Sequence, residues 1–123
     1  MKYLCLCYYD TDKFTKLSQE ELAQIGPECK PHDAVLLATG KVVASGSLAL
    51  PQEFRTIRPI DRKPSVSVGP FSAVPEQVGA FFIVDAQDID EAIEVASKHA
   101  AANYGEHIGF AVEVRPCDSF EFD

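Results

Sequence analysis

The sequence predicts an α+β fold: a ferredoxin-like split βαβ sandwich with an inserted β-hairpin. Three observations carry this. Apolar strand-like runs and amphipathic helix-like runs alternate as strand, helix, strand, hairpin, strand, helix, strand. The chain has 123 residues, enough for one domain that buries about two-thirds of its unfolded surface. No repeat, low-complexity stretch or linker divides it, so residues 1–123 are expected to form a single domain.

Lys2 to Tyr9 reads as the first strand. Tyr3, Cys5, Cys7 and Tyr9 fall on one face, and Leu4, Leu6 and Tyr8 on the other. One of the adjacent tyrosines is expected to bury its ring and bond its hydroxyl. Asp10 to Lys16 reads as a loop. Ser18 then offers a helix N-cap, Glu21 completes a capping box, and Leu17 can staple onto Leu22. Gly26-Pro27 is expected to break that helix. A second helical piece, with Pro31 in its first turn, should run to about Thr39 and stop at Gly40.

Lys41 to Leu48 reads as the second strand. Pro51 to Ile60 and Pro64 to Val68 suggest a hairpin around Asp61-Arg62-Lys63, ended by Gly69-Pro70. Ala80 to Asp85 is a continuous apolar strand. Asp88 caps the next helix, with Glu91 three residues on and Ile89, Ala92, Ile93 and Ala96 on its expected buried face. That helix is expected to reach Ala102. Gly109 to Arg115 reads as the closing strand, stopped by Pro116.

Two helices cover only one face of a four-stranded sheet, yet the first and third strands are apolar on both. The bare face therefore calls for a cover, and a second copy of the same sheet is the simplest, giving a homodimer.

Composition narrows the partners. A net charge of −8, from 19 acids and 11 bases, disfavours nucleic acid and anionic lipid. No apolar run reaches the ~20 residues of a membrane helix. The apolar stretch after Lys2 is too short for a signal peptide and stops at Asp10-Thr11-Asp12-Lys13, which points to a cytoplasmic protein. The four cysteines read as reduced and structural, and no Cys/His quartet has metal-ligand spacing. No cofactor-binding glycine loop and no nucleophile elbow occur.

Several segments occur in a telling order. They are Lys2-Tyr3-Leu4 with Tyr8, Gly46-Ser47-Leu48 with Pro51, and Thr56-Ile57-Arg58. Val68-Gly69-Pro70-Phe71, Glu76-Gln77, Gly79, Asp85, Asp88 to Ala92 and Val112 to Pro116 follow. Together they resemble the YCII-related family, in the branch named for an Asp-Gly-Pro-Phe signature. Val68 replaces the signature aspartate, and Ala73 and Pro75 stand where many relatives carry Glu and Lys. Chemistry that needs those side chains is absent here. The resemblance implies a ferredoxin-like subunit that dimerises through its sheets as a dimeric α+β barrel. It also implies one of two functions. The first is small-molecule binding with His-Asp acid–base chemistry, as proposed for relatives linked to dehydrochlorination of aromatic compounds. The alternative is a non-catalytic interaction module beside a sigma factor or another partner protein.

On the first reading, His32 is the expected catalytic base, oriented by Asp33 or Asp85, and Asp85, at a strand end before a helix, is the carboxylate chosen to pair with it. The plainer roles are a helix-start histidine and a turn aspartate. Glu113 and Arg115, two apart on one face of the last strand, are read as a cross-strand ion pair or as lining a pocket in the barrel interior. Arg58 is read as a strand-edge cation or an anion ligand. His99 is read as a last-turn histidine that suits the helix dipole.

Overall fold

The computed structural model describes residues 1–121. Its centre is a four-stranded antiparallel sheet in the order β2-β5-β1-β6, built from β1 (Lys2–Asp10), β2 (Val42–Ser47), β5 (Glu76–Asp85) and β6 (Ala111–Pro116). A separate two-stranded sheet pairs β3 (Arg55–Ile60) with β4 (Lys63–Val68). Three α-helices lie among the described residues: α1 (Thr11–Thr15), α2 (Gln19–Ala38) and α3 (Ile89–Ala96).

The period-2 alternation of β1 decides which face is packed. Tyr3, Cys5, Cys7 and Tyr9 are buried, and the residues between them are only half-buried. The register sets Tyr3 opposite Val84, Cys5 opposite Phe82 and Val114, and Cys7 opposite Ala80 and Val112. These side chains meet Leu36 of α2 and Ala92, Val95 and Ala96 of α3 to form the core. On the other face Leu4 pairs with Ile83 and Leu6 with Phe81. All four are half-buried.

Local signals fix the element ends. Ser18 and Glu21 form the expected capping box, with bonds of 3.1 and 2.9 Å. Asp88 accepts the Glu91 amide. Asp61 and Arg62, with φ of 51° and 65°, make a two-residue hairpin turn between Ile60 and Lys63. Both residues sit in left-handed backbone, as the turn that matches strand twist requires.

The fold departs from the sequence reading at several places. The run expected to be extended from Pro51 opens as a 3-10 turn, Pro51–Glu53, and its strand starts only at Arg55. The expected loop after β1 holds α1, whose first turn is capped by Asp10 accepting from Lys13. α2 is one helix of 20 residues with Pro27 and Pro31 inside it, not two pieces. Each proline removes one intrahelical donor, but both the prolines and the residues one turn before them face solvent. The orphaned carbonyls of Ala23 and Pro27 can therefore be met by water. α3 ends at Ala96, six residues early, because the chain turns at Ser97 and re-enters a short 3-10 turn at Ala100–Ala102. Within α3 the buried positions are Ala92, Val95 and Ala96, whereas Ile89 and Ile93 stay exposed. Finally, β5 begins at Glu76, before the apolar run, because β1 pairs with it as far as Asp10.

Candidate functional site

The clearest cleft lies between α2 and the sheet. A hollow of about 350 Å³ is lined by Cys7, Tyr9, Cys29, Asp33, Ser47 and His99, together with apolar walls from Phe14, Ile25, Leu48 and Phe110. A neighbouring hollow of about 240 Å³, lined by Leu36, Val42, Ser45 and Phe82, shares Asp33, Ser47, Ala80 and His99 with the first. Asp33 and His99 therefore stand at the junction of the two. A larger, open hollow between α3 and β6 has no titratable side chain in its wall. It offers a surface, not acid–base chemistry.

His99 is held on every side. The backbone leaves α3 at Ser97, and Asn103 clamps the turn by donating to the Ser97 and His99 carbonyls at 2.7 and 2.8 Å. The imidazole lies flat on Phe82, with centroids 4.9 Å apart and planes 6° from parallel. Its Nδ1 accepts the Ala101 amide proton at 2.9 Å. That bond assigns the tautomer: with Nδ1 accepting, the proton of the neutral ring sits on Nε2. Burial lowers the His99 pKa, and the nearby His32 charge lowers it further, while Asp33 acts in the opposite sense. Neutral His99 is thus a hydrogen-bond donor through Nε2. It cannot act as a base through Nδ1 without giving up the Ala101 bond.

The buried thiols of Cys5 and Cys7 are held in their protonated form. Cys7 Sγ lies 3.7 and 3.9 Å from the two ring nitrogens of His99, about evenly shared and longer than a directed bond. Burial pushes the Cys7 pKa up to about 12 and the Cys5 pKa to about 11. Burial also raises Cys29. Neither Cys5 nor Cys7 supplies a thiolate near neutrality. No cluster of three or more His, Cys, Asp or Glu among the described residues has the placement to hold a metal.

Asp85 is not paired with His32. Its carboxylate accepts from the amino terminus at 3.3 Å and lies 3.2 Å from Lys2 Nζ. Hydrogen bonds from Lys2 and the amino terminus hold its pKa below the usual carboxylate value. It faces a separate hollow with Lys41, Val42, Gln87 and Glu91. It does not take the turn-forming amide either, since Glu91 accepts the Gln87 N–H at 3.3 Å. His32, half-buried on α2, is the residue before Asp33, and its charge bears on His99.

Other expectations resolve more simply. Glu113 and Arg115 form their ion pair, and Tyr8 joins them by donating to Glu113 at 3.2 Å. Tyr9 is the tyrosine that buries its ring, edge-on to Phe14, while the hydroxyl bond belongs to Tyr8. The two roles are split between neighbours because they point to opposite faces. Arg58 stacks 4.3 Å from the Phe71 ring and donates to the Phe71 carbonyl.

His99 is the residue that sequence reasoning passed over. Helix periodicity through Ala102 put it on a last turn. The signal that marked the true stop was Ser97 at a helix end, with Asn103 six residues on to clamp the turn.

The YCII-related domain model matches residues 1–118. An uncharacterized protein of Rhizobium meliloti (strain 1021) is 28% identical over 103 residues, covering 84% of this chain and 83% of its own. No helix among the described residues is long and apolar enough to cross a membrane.

Proposed function

The chain belongs to the YCII-related family, and from that premise we propose that it is a small homodimeric protein that binds an organic molecule in the cleft between α2 and the sheet. The observation that carries this is that a hydrogen-bond donor, His99, and an exposed carboxylate, Asp33, line the same two hollows. His99, with its tautomer fixed by Ala101, offers an Nε2 proton. Asp33 offers a carboxylate in the same two hollows. The walls around them are aromatic and aliphatic. That combination suits a small, partly aromatic molecule bearing one acceptor atom, such as a carbonyl or phenolate oxygen, and one donor.

If the site turns a substrate over, the roles follow from the same geometry. Asp33 is the proton acceptor and neutral His99 steadies developing negative charge. His32 and Asp85, the pair that the sequence suggested, gain no support from Asp85's partners. His32 keeps a role only on the Asp33 side, through its charge.

The strand order β2-β5-β1-β6, with β5 antiparallel to both of its neighbours, favours the ferredoxin-like arrangement. The surviving Gly69-Pro70-Phe71 turn favours the Asp-Gly-Pro-Phe branch. The half-buried apolar face of Leu4, Leu6, Phe81 and Ile83 favours a dimer that closes sheet on sheet into an α+β barrel. Sedimentation should then give about 27 kDa, twice the 13.5 kDa chain. A cytoplasmic location accords with the thiols, all four of which are free.

A second reading, a non-catalytic interaction module, draws on α2. Val35 and Leu37 leave 55% and 62% of their surface in solvent, which suits a partner protein.

One experiment separates the two. Thermal shift against a panel of small aromatic acids, phenols and carbonyl compounds should find a stabilising ligand, since a binder raises stability by mass action. Asp33→Asn and His99→Asn should each abolish that shift while remaining folded. A panel with no binder, or variants that bind as well as the parent, would favour the interaction module.

A further inference from the structure

We infer that the β3–β4 hairpin is an exchanged arm, whose apolar face docks on the acidic body of a second copy of this chain. The inference rests on the homodimer proposed above and adds a second contact to it.

The two faces of the hairpin differ. Cross-strand pairing puts Ile57 with Val66, Arg55 with Val68 and Pro59 with Pro64 on one face. On it Ile57, Val66 and Val68 leave 65%, 64% and 76% of their surface in solvent. The opposite face carries Thr56, Arg58, Ile60, Lys63, Ser65 and Ser67, and three of these polar side chains are partnered within the chain. Thr56 donates to the Gly69 carbonyl, Ser67 to the Thr56 carbonyl, and Arg58 lies on Phe71. Three of the hairpin's four exposed large apolar side chains therefore share one face, Ile60 at 58% being the fourth, beside the turn. An isolated two-stranded hairpin is marginal in water, and this one also carries a left-handed Arg62 in its turn.

The edges are poor docking sites. Pro59 and Pro64 face each other, and each removes an amide donor. Prolines of this kind guard sheet edges against further strand pairing. Docking must therefore use the face.

Charge selects the occupant. Residues 55–68 carry four bases, Arg55, Arg58, Arg62 and Lys63, against one acid, Asp61. The arm is thus +3 in a chain of net −8, which leaves −11 on the remainder. Arg55 lies on the docking face itself and Arg62 in the turn at its tip, so the arm meets an acidic body of another copy with complementary charge, and a two-fold axis makes the contact reciprocal. The area agrees. At roughly 100 Å² apiece the three side chains expose on the order of 300 Å². Two arms and the surfaces they cover would remove about 1,200 Å² from water, the lower end for a stable interface.

The test is sedimentation of the full chain beside its Ile57→Asp/Val66→Asp double variant, with amide exchange of residues 55–68 followed in both. Circular dichroism and melting check that the body stays folded, as it should, since both side chains are exposed. The expected result is a dimer for the parent, a dissociation constant raised at least about tenfold in the variant, and hairpin amides protected only in the parent dimer. A parent dimer with an unchanged constant in the variant overturns the arm and leaves the dimer standing. So do hairpin amides that exchange equally fast in the parent dimer and the dissociated variant. A monomeric parent removes both.

Discussion

Replacing His99 should separate its structural bonds from its chemistry. His99→Ala removes the Nδ1 acceptor of the Ala101 amide and the ring stacked on Phe82. Ala101 is buried, and a buried amide left without a partner costs about 1–3 kcal/mol. The stacked pair contributes about 0.5–1.5 kcal/mol beyond its buried area. Together they predict a loss of roughly 2–4 kcal/mol. His99→Asn supplies a new side-chain acceptor and loses only the stack, so it should cost about 1 kcal/mol. His99→Phe keeps a stack and orphans the amide, and should fall between the two. Urea unfolding at one fixed protomer concentration gives the three values, the fixed concentration being needed because dimerisation contributes to apparent stability. A cost under about 0.5 kcal/mol for His99→Ala, the ordinary scale of a surface change, would refute the account.

The same series carries a pH signature. The folded-state pKa of His99 lies below its ordinary value of 6.5. Above pH 6.5 the ring is neutral in both folded and unfolded chains, and its contribution is fully present. As pH falls, the unfolded chain takes the proton first, and that stability is lost down through the folded pKa. Between pH 7.5 and 5 the parent should therefore lose stability relative to His99→Asn. Parallel curves would show that burial does not perturb the imidazole.

Four further outcomes follow from particular contacts. Gly105, at φ +89°, also sits where a Cβ would run into the Phe110 ring, whereas Gly69, at φ +105°, has nothing within 4 Å; Gly69→Val should cost roughly 1–3 kcal/mol for backbone strain alone, and Gly105→Ala should melt lower than Gly69→Ala. Equal melting temperatures for the two alanine variants would show that Phe110 gives way freely. Ser18→Ala removes one arm of the capping box and should lower stability by about 1 kcal/mol in urea titration; no change would mean that the first turn of α2 is frayed. In thiol labelling at pH 7.5, Cys29 and Cys117, which are partly exposed, should react before Cys5 and Cys7, and equal native-state rates would contradict the raised pKa values. Chelator should leave the melting curve unchanged, and stoichiometric zinc in the purified protein would overturn that.

Local rules made much of this fold legible. The capping box at Ser18 and Glu21, the Asp88 cap, the hairpin near Asp61 and the two-sided apolarity of β1 all depend on neighbours a few residues apart. What escaped depends on long-range balance. Proline rules break a helix when its freed carbonyls are buried, but Pro27 and Pro31 lie on a solvent-facing stretch where water meets them. Periodicity carried α3 through Ala102, because Ala100 and Ala101 are indeed buried. Their burial comes from a separate turn that folds back under α2. The site suffered from the same blindness. His32 was chosen by its place in a resemblance, and Asp85 by its place at a strand end. Neither choice could see that Lys2 and the amino terminus meet Asp85, or that a turn after α3 brings His99 beneath Asp33's helix.

The cleft itself follows from that same balance. α2 has 20 residues, yet Leu36 alone among them is buried. A helix of that length normally lays a continuous apolar stripe on its sheet. Here the stripe is poor: Ile25 and Cys29 are only half-buried, and Leu22 stays 39% exposed. Below them the walls and floor include Ser47, Gly79, Ala80, Ala100 and Ala101, residues too small to reach a helix overhead. Close packing fills such a gap when large side chains are available. In this sequence small residues meet a weakly apolar helix, so the gap stays open near Ile25, Cys29 and Asp33. Filling it should therefore stabilise the chain and block binding together. Ala80→Leu tests this, because Ala80 lines both hollows beside His99. A rise in melting temperature with loss of the ligand-induced shift is expected, as for any cavity kept for use at some cost in packing. A lower melting temperature would show that the space is already claimed by its neighbours, and that the cleft is narrower than its lining residues imply.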